Sequence, residues 1–437
     1  MSVEKPGDLH LGAFSDHPPW VLTGEQLTWQ RDVDRLRNEA RLEVPRLTKP
    51  GRFPPGGRVI TVSARIAWGL VPWLRQREIG ILSRRMREAA TDLGATFIKL
   101  GQIISSGQGL FPAELVNEFK KCRDQVPPES FETVRAVVEA DLGTTIEATV
   151  DWFDHTPLAA ASIAQVHVAR LRTGEEVVVK VQRPQVATQV RQDLRVLAWI
   201  APFLIGRIPV SSLANPPALV ELFAETITEE LDFRIEAQNM LDVARVLADL
   251  DQRGYVIPRP HPTLVTRRVL VMERLSGFAF DDAVAQKAAG IDTHEVIRTG
   301  MVAFMEGAML HGIFHGDLHG GNLFVLPDGR TALLDFGITA RLSPPRRLAF
   351  LRLLLGSMTN DVRGQLQALT ELGALPRDTD IDEVIRDLRL DQAPIDPTTL
   401  TGEQLVTEVQ RVVKALMGYG GTASEGTDAV REEPGFP

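Results

Sequence analysis

The sequence predicts an α+β fold of two lobes with a helical extension on its N-terminal side, and three observations carry that reading. One is the stretch Phe314 to Gly337, FHGDLHGGNLFVLPDGRTALLDFG, where two short apolar β-forming runs flank the turn residues Pro327-Asp328-Gly329. Another is Asp151 to Val181, which alternates as paired strands do around a Thr173-Gly174 turn. The third is size: 437 residues, 44% apolar and 24% charged, suffice for two lobes with cores and an appendage.

A hairpin at 323–334 brings the loop before its first strand beside the loop after its second. Asp317 and Asn322 then face Asp335 across a small gap. Kinase-type phosphoryl transfer needs this set: an Asp beside the acceptor hydroxyl, and an Asn and a second Asp on Mg²⁺. The step from Asp317 to Asn322 is that of the H-R-D-x-x-x-x-N catalytic loop, and D-F-G follows in order, although Gly316 stands where a protein kinase has Arg. D-F-G alone is a weak signal, since any apolar strand can end that way. The whole series, HGDxHxxN, hairpin and D-F-G, is a strong one. The bland alternative for Asp317 and Asn322 is a turn pair capping backbone groups. The fold class that follows is a two-lobed, protein-kinase-like fold.

Taken in order, residues 1–57 are poor in pattern: Glu25 to Glu43 suits a charged helix, and a Pro/Gly-rich linker follows. Residues 58–145 form the helical extension. Within it, Arg58 to Arg87 is basic, with Trp68 and Trp73 among Ile66, Leu70 and Leu74 at helical spacing. Such a segment either lies on an anionic membrane surface or packs on its own protein with a solvated Arg face. Residues 84–107 read as a helix with Leu93, Phe97, Leu100 and Ile104 as its apolar stripe. Lys99 and Gln102 share a polar edge of it, and Gly101 allows close approach. By pattern alone Lys99 is a surface lysine, and Cys122 is a small packing residue.

The net charge of −9 argues against nucleic acid as a partner, and one cysteine rules out an intramolecular disulfide. The N-terminus lacks the apolar core of a signal peptide. The longest apolar run, Val196 to Gly206, is well short of the ~20 residues that span a bilayer and reads as a buried helix or helical hairpin. A cytoplasmic chain is expected, with peripheral contact at the inner face of the membrane as the one membrane option.

Lys99-Leu100-Gly101-Gln102, the flanking LGATFIKLGQ and LFPAELVNEFKKCRDQVPP, an Ala-rich turn, a Glu230-Leu231-Asp232 triplet and the HGDxHxxN and D-F-G motifs appear in one order. In that, the chain resembles the UbiB family of atypical kinase-like proteins from about Arg84 to about Gly373. Ser106-Gly107-Gln108-Gly109 departs from the Thr-Arg-Pro-Asp run that many members carry. The resemblance implies ATP and Mg²⁺ as cofactors, and a setting in isoprenoid lipid metabolism, chiefly quinone biosynthesis, with a lipid or quinone-pathway partner.

Residues 146–277 are the expected N-lobe. Where a kinase has a Gly-rich loop, this chain has Ala159-Ala160-Ala161-Ser162-Ile163-Ala164, which resembles the family's Ala-rich loop. Each Cβ there restricts positive φ, so nucleotide should be held with less freedom at the γ-phosphate. Lys180 on VVVKV is the expected partner of the α- and β-phosphates. The run Glu221 to Leu250 reads as one acidic helix. By resemblance Glu236 orients Lys180, while Glu230 and Asp232 receive Lys99, which gates the cleft together with Gln102. Val265 to Phe278 reads as a strand ending at the hinge, where the backbone at Met272 and Glu273 meets adenine.

Residues 278–417 are the C-lobe, with Thr293 to Leu310 a buried helix ahead of the catalytic loop. His315 reads as a core residue under that loop, and His319 as loop packing rather than a metal ligand. After D-F-G come Ser343-Pro344-Pro345 and two amphipathic helices, with no long activation segment and no A-P-E. The platform for a protein substrate is therefore missing. Residues 418–437 read as a disordered tail. Two other classes stay open: a small-molecule kinase of the aminoglycoside or choline type, and a nucleotide-sensing scaffold with negligible turnover.

Overall fold

The computed structural model describes residues 13–390 apart from 16–17, 25, 77, 107–110, 122–125, 206–214, 374, 376–377 and 389. The expectations for Cys122, for 107–109 and for the tail fall outside the described residues. The fold is α+β and two-lobed. The helical extension comprises α1 (Val33–Thr48), α2 (Arg58–Gln76), α3 (Ile79–Leu93), α4 (Ala95–Ser106) and α5 (Ala113–Phe119). After α6 (Phe131–Leu142) and α7 (Ile146–Thr149) comes the N-lobe sheet: β1 (Val150–Phe153), β2 (Ala159–Ala160), β3 (Ala164–Leu171), β4 (Glu176–Gln182) and, later in the chain, β6 (Pro260–Val265) and β7 (Val269–Glu273). All its pairings are antiparallel, in the order β1-β3-β4-β7-β6 with β2 on β3. The expected hairpin at Thr173-Gly174 joins β3 to β4, with Gly174 at φ +103°, where a Cβ would be strained.

Three helices interrupt the sheet: α8 (Val186–Leu204), α9 (Pro216–Glu230) and α10 (Phe233–Asp249). The apolar run at 196–206 belongs to α8, whose Val196, Leu197, Ala198, Ile200 and Ala201 are buried under the extension. Among the described residues no helix is long and apolar enough to cross a membrane.

The C-lobe begins with β5 (Tyr255–Val256), β8 (Phe278–Ala279), α11 (Ala283–Ala288) and α12 (Thr293–Glu306). It continues through β9 (Ile313–His315), β10 (Leu323–Val325), β11 (Thr331–Leu333) and β12 (Thr339–Arg341), and ends in α13 (Pro344–Thr359), α14 (Val362–Leu372) and α15 (Ile381–Leu388). The expected hairpin β10-β11 forms, with Leu323 opposite Leu333 and Val325 opposite Thr331.

Five readings are corrected. The segment before α1, read as poorly patterned, seals the N-lobe: Phe14, Leu22, Leu27 and Trp29 are buried against α10 and β7, and helix begins at Val33 rather than near Glu25. The stripe at 84–107 lies on two helices, because Gly94 at φ +97° ends α3. The run 221–250 is also two helices, since Asp232 leaves helical φ/ψ and its side chain caps α10 through the Arg234 N–H. The strand at 265–278 is shorter than read: residues 266–268 turn back from β6, and only β7, Val269–Glu273, is strand there. The helix at 293–310 is only partly buried: α12 buries Val296 and Ala303, and the chain runs on in a wider helical turn, Gly307–His311, with Gly307 and Ala308 buried. In the last four cases the apolar spacing is real, but a local backbone break or the absent partner surface is not visible in it; the N-terminal segment has no regular spacing to read.

Buried polar groups pin the extension to the N-lobe. Asp193 on α8, fully buried, accepts from Arg58 Nε at 2.7 Å and from Thr96 Oγ1 at 2.7 Å, tying α2 and α4 to one carboxylate. Arg37 on α1 reaches Asn239 at 2.6 Å and Asp242 at 3.3 Å on α10.

On β6, His261 Nδ1 accepts from the Thr263 and Leu264 N–H groups at 3.2 and 3.1 Å while its ring meets Trp20 edge-on. Burial lowers its pKa from 6.5 to about 4, with Glu175 a weaker opposing influence. The folded state therefore holds this ring neutral, and its contribution to stability, present above pH 6.5, is lost as pH falls from 6.5 through about 4. His261→Asn keeps an acceptor in place but does not titrate. Its thermal unfolding midpoint should fall less than the wild type's between pH 7 and pH 4.5, and an unchanged pH slope would contradict this account.

Candidate active site

The site forms where α4, the Ala-rich turn, β4, α10 and the β10-β11 loops converge. Lys180 points from β4 into the cleft. Its Nζ lies 2.7 Å from Glu236 Oε1 on the first turn of α10 and 3.4 Å from Asp335 Oδ1. Glu236 also accepts from the Phe336 N–H at 3.4 Å, and Asn239 Nδ2 donates to the Phe336 carbonyl at 3.0 Å, so α10 holds the backbone that carries Asp335.

The loop before β10 is set by His315. Its Nδ1 accepts from the Asp317 N–H at 3.1 Å, and its Nε2 donates to the Asp335 carbonyl. One neutral imidazole thus joins the two acidic loops, and burial keeps its pKa below the usual range. Asn322 Nδ2 donates to the Asp317 carbonyl at 3.1 Å, which leaves its amide oxygen available to a cation. His319 turns inward at Nδ1 to cap the Gly321 N–H at 3.1 Å, with Nε2 3.7 Å from Asp317 Oδ2.

Across the cleft, Lys99 Nζ stands 3.0 Å from Glu230 Oε1, both side chains largely buried. Burial pushes the Lys99 ammonium down in pKa. Glu230, then Asp335 and Asp317, outweigh that and raise it above an ordinary lysine. Burial raises Glu230 and Glu236, with Lys99 and Lys180 pulling the other way. Burial also pushes Asp335 up, but Lys180 and Lys99 together hold it well below the usual carboxylate range. Asp335 is thus the shared anion of two lysines.

Gly101 lets α4 lie close against α5: a Cβ there would lie 2.4 Å from the Phe119 ring. The Ala-rich turn is tight, Ala161 N–H donating to the Ala164 carbonyl at 2.8 Å. It is pinned from behind by Arg183 Nε on the Ala161 carbonyl at 2.9 Å. Ser162 is buried in it, and Ala159 and Ala160 form β2. The space that Lys99, Gln102, Ser162, Lys180 and Asp335 help to line is about 60 Å³, against ~300–1,000 Å³ for a pocket that takes a small molecule. The extension fills the cleft.

One expected contact is placed elsewhere. Asp232 does not meet Lys99: it turns away from the cleft to cap α10 and pairs with Arg234 at 2.7 Å. The break between α9 and α10 sends it to the opposite side from Glu230. Met272 is packed in the N-lobe core, and Glu273 is turned toward the N-terminal segment, accepting from Ser15 and from the Arg259 N–H. Neither side chain lines the cleft, and the Glu273 N–H is taken by the Arg259 carbonyl at 2.9 Å. Sequence reasoning missed Asn239, Arg183 and Asp193. A polar residue inside an apolar helical face, as at Asp193 and Asn239, was the signal available.

Fold and site together define a kinase-like protein. The profile of the ABC1 atypical kinase-like domain matches residues 121–369, and the chain belongs to that family. An uncharacterized protein of Mycobacterium tuberculosis is 33% identical over 416 residues, 94% of this chain and 84% of that one. The probable protein kinase UbiB of Aeromonas hydrophila is 33% identical over 340 residues, 76% of this chain and 61% of its own length. The chloroplastic protein ACTIVITY OF BC1 COMPLEX KINASE 1 of Arabidopsis thaliana is 34% identical over 304 residues, 69% of this chain and 44% of that one.

Removing one partner of a largely buried ion pair leaves the other charged and unpaired, at about 3–5 kcal/mol. Lys99→Ala and Glu230→Gln should each destabilise on that scale in denaturant unfolding, and the double mutant should be no worse than either. Additive losses would mean that the two side chains do not act as a pair.

Proposed function

We propose that the chain is an ATP- and Mg²⁺-dependent atypical kinase or ATPase of the UbiB type. The observation that carries this is Lys180 held between Glu236 and Asp335, with Asn322 and Asp317 on the adjoining loop. Lys180 binds the α- and β-phosphates and Glu236 keeps it aimed. Asn322 and Asp335 are the metal ligands, one neutral and one fully ionised donor, which suits a hard cation that keeps several waters. A Mg²⁺ ion held by these two side chains would supply positive charge to offset what develops in transfer. Asp317 accepts the proton of the attacking hydroxyl or water. The Ala-rich turn covers the phosphates, and the backbone at Met272 and Glu273 marks the adenine side.

Lys99, Gln102 and Glu230 gate this cleft. With an ammonium facing Asp335 and Asp317, a phosphoryl acceptor meets a closed entrance, and slow or selective turnover follows. The likeness to UbiB proteins supports a reaction in isoprenoid quinone or lipid metabolism, with the chain at the inner face of a membrane. Exposed Ile60 and Val71, and Trp68 beneath the Arg85 guanidinium at 4.1 Å, favour peripheral membrane contact by α2.

Asp335→Asn should weaken Mg²⁺-ATP binding roughly ten- to a hundred-fold, the scale of about 1.5–3 kcal/mol for a charged contact. Calorimetry with and without Mg²⁺ checks this, and unchanged affinity would contradict the metal assignment. Lys99→Ala should keep ATP binding and gain radiolabel transfer to itself. No gain would remove Lys99 from the gate.

A further inference from the structure

On the side of α4 away from the cleft lies a second space, about 190 Å³, bounded by α2, α3, α4, α5, α8 and α9. Its lining contains Leu, Ile, Val, Met, Phe, Ala, Gly and Pro and nothing else: Leu70, Met86, Phe97, Leu115, Ala201 and Val220 stand one on each of its six walls. No side chain there can hydrogen-bond a head group or a water. Interiors are normally packed to crystal density, with few voids larger than a water. A dry apolar cavity of about 150 Å³ is already enough to take benzene.

Loose assembly of the extension does not account for the space. At its edge the same helices are in tight contact, Gly101 against the Phe119 ring. The frame is also fixed by polar pins: Arg58 donates to both Asp193 and the Leu93 carbonyl at 2.7 Å, and Thr96 to Asp193 at 2.7 Å. Helices held this firmly at one end, yet apart along an all-apolar seam, leave room for something apolar.

We infer that the seam between α2–α5 and α8–α9 binds the hydrocarbon chain of a single-chain amphiphile, acyl or prenyl, whose polar head stays outside. The chain is specified by the lining. A polar or charged ligand would lose its hydration there without replacement, and a rigid polycycle would have to displace helices that the Asp193 pins fix. The inference extends the lipid part of the proposed function, and it stands whether or not the cleft transfers phosphate.

The test uses the full chain and a diazirine-bearing palmitate, with labelled peptides mapped by mass spectrometry, and cis-parinaric acid fluorescence for affinity. Saturable one-to-one binding is expected, with label on peptides of α2–α5 and α8–α9. Oleate and geranylgeraniol should compete if the chain is taken up free. If only neutral phosphatidylcholine vesicles compete, the chain is drawn from a bilayer, and the seam is equally its site. Ala201→Phe, which fills the space, should weaken parinaric acid binding at least ten-fold. Should that variant fail to fold, the label map on the wild type decides. Label confined to the exposed apolar faces of α12 and α13, absence of saturation, or full affinity in a folded Ala201→Phe would each overturn the inference. Mg²⁺-ATP affinity measured on the same samples reports separately on the cleft, so failure of one reading is not mistaken for failure of the other.

Discussion

Asp335 facing two ammonium groups is the constraint from which the rest of the site follows. A carboxylate at a lobe junction is stable there only if its charge is met. Lys180 meets it from the N-lobe at 3.4 Å, and Lys99 adds a second positive field from the extension. Each lysine in turn needs a carboxylate of its own, Glu236 at 2.7 Å and Glu230 at 3.0 Å. The result is an alternation of charges that crosses three structural units. Neighbouring groups inside such a network support one another, whereas a partly satisfied network is costly. That is why α4 belongs with the catalytic lobes rather than lying beside them.

The helices exist to hold this network in register. The break at Leu231-Asp232 places Glu230 at the end of α9 and Glu236 in the first turn of α10, so that two acids six residues apart address two different lysines. Asp232 stabilises the break by capping. Gly94 and Gly101 do comparable work on the extension: one turns the chain between α3 and α4, and the other lets α4 settle onto Phe119. His315 and Asn239 then fix the two loops of the C-lobe through backbone groups. They carry no charge into the site, only geometry.

Much of this was legible in the residues. The hairpin and the convergence of Asp317, Asn322 and Asp335 follow from turn chemistry and short apolar runs, which are local signals. Lys180 and its strand were equally plain. The Lys99–Glu230 contact was not: spacing made Lys99 a surface lysine, and only family likeness pointed to a carboxylate. Ion pairs across 131 positions of chain leave no periodic trace. Asp232 was misassigned for the related reason that capping residues and helix-face residues look alike when the break between helices is missed. The N-terminal segment was undervalued because Phe14, Leu22 and Trp29 are spaced irregularly and bury themselves one at a time.

The closed cleft is the central claim, and the reactivity of Lys99 reports on it directly. Lysine amines of the native chain can be labelled competitively by reductive methylation and quantified by mass spectrometry. The account predicts that Lys99 and Lys180 are the slowest to react, far behind the exposed Lys49, Lys121 and Lys287, and that Glu230→Gln speeds Lys99 selectively. Labelling of Lys99 at the rate of those exposed lysines in the wild type would contradict it.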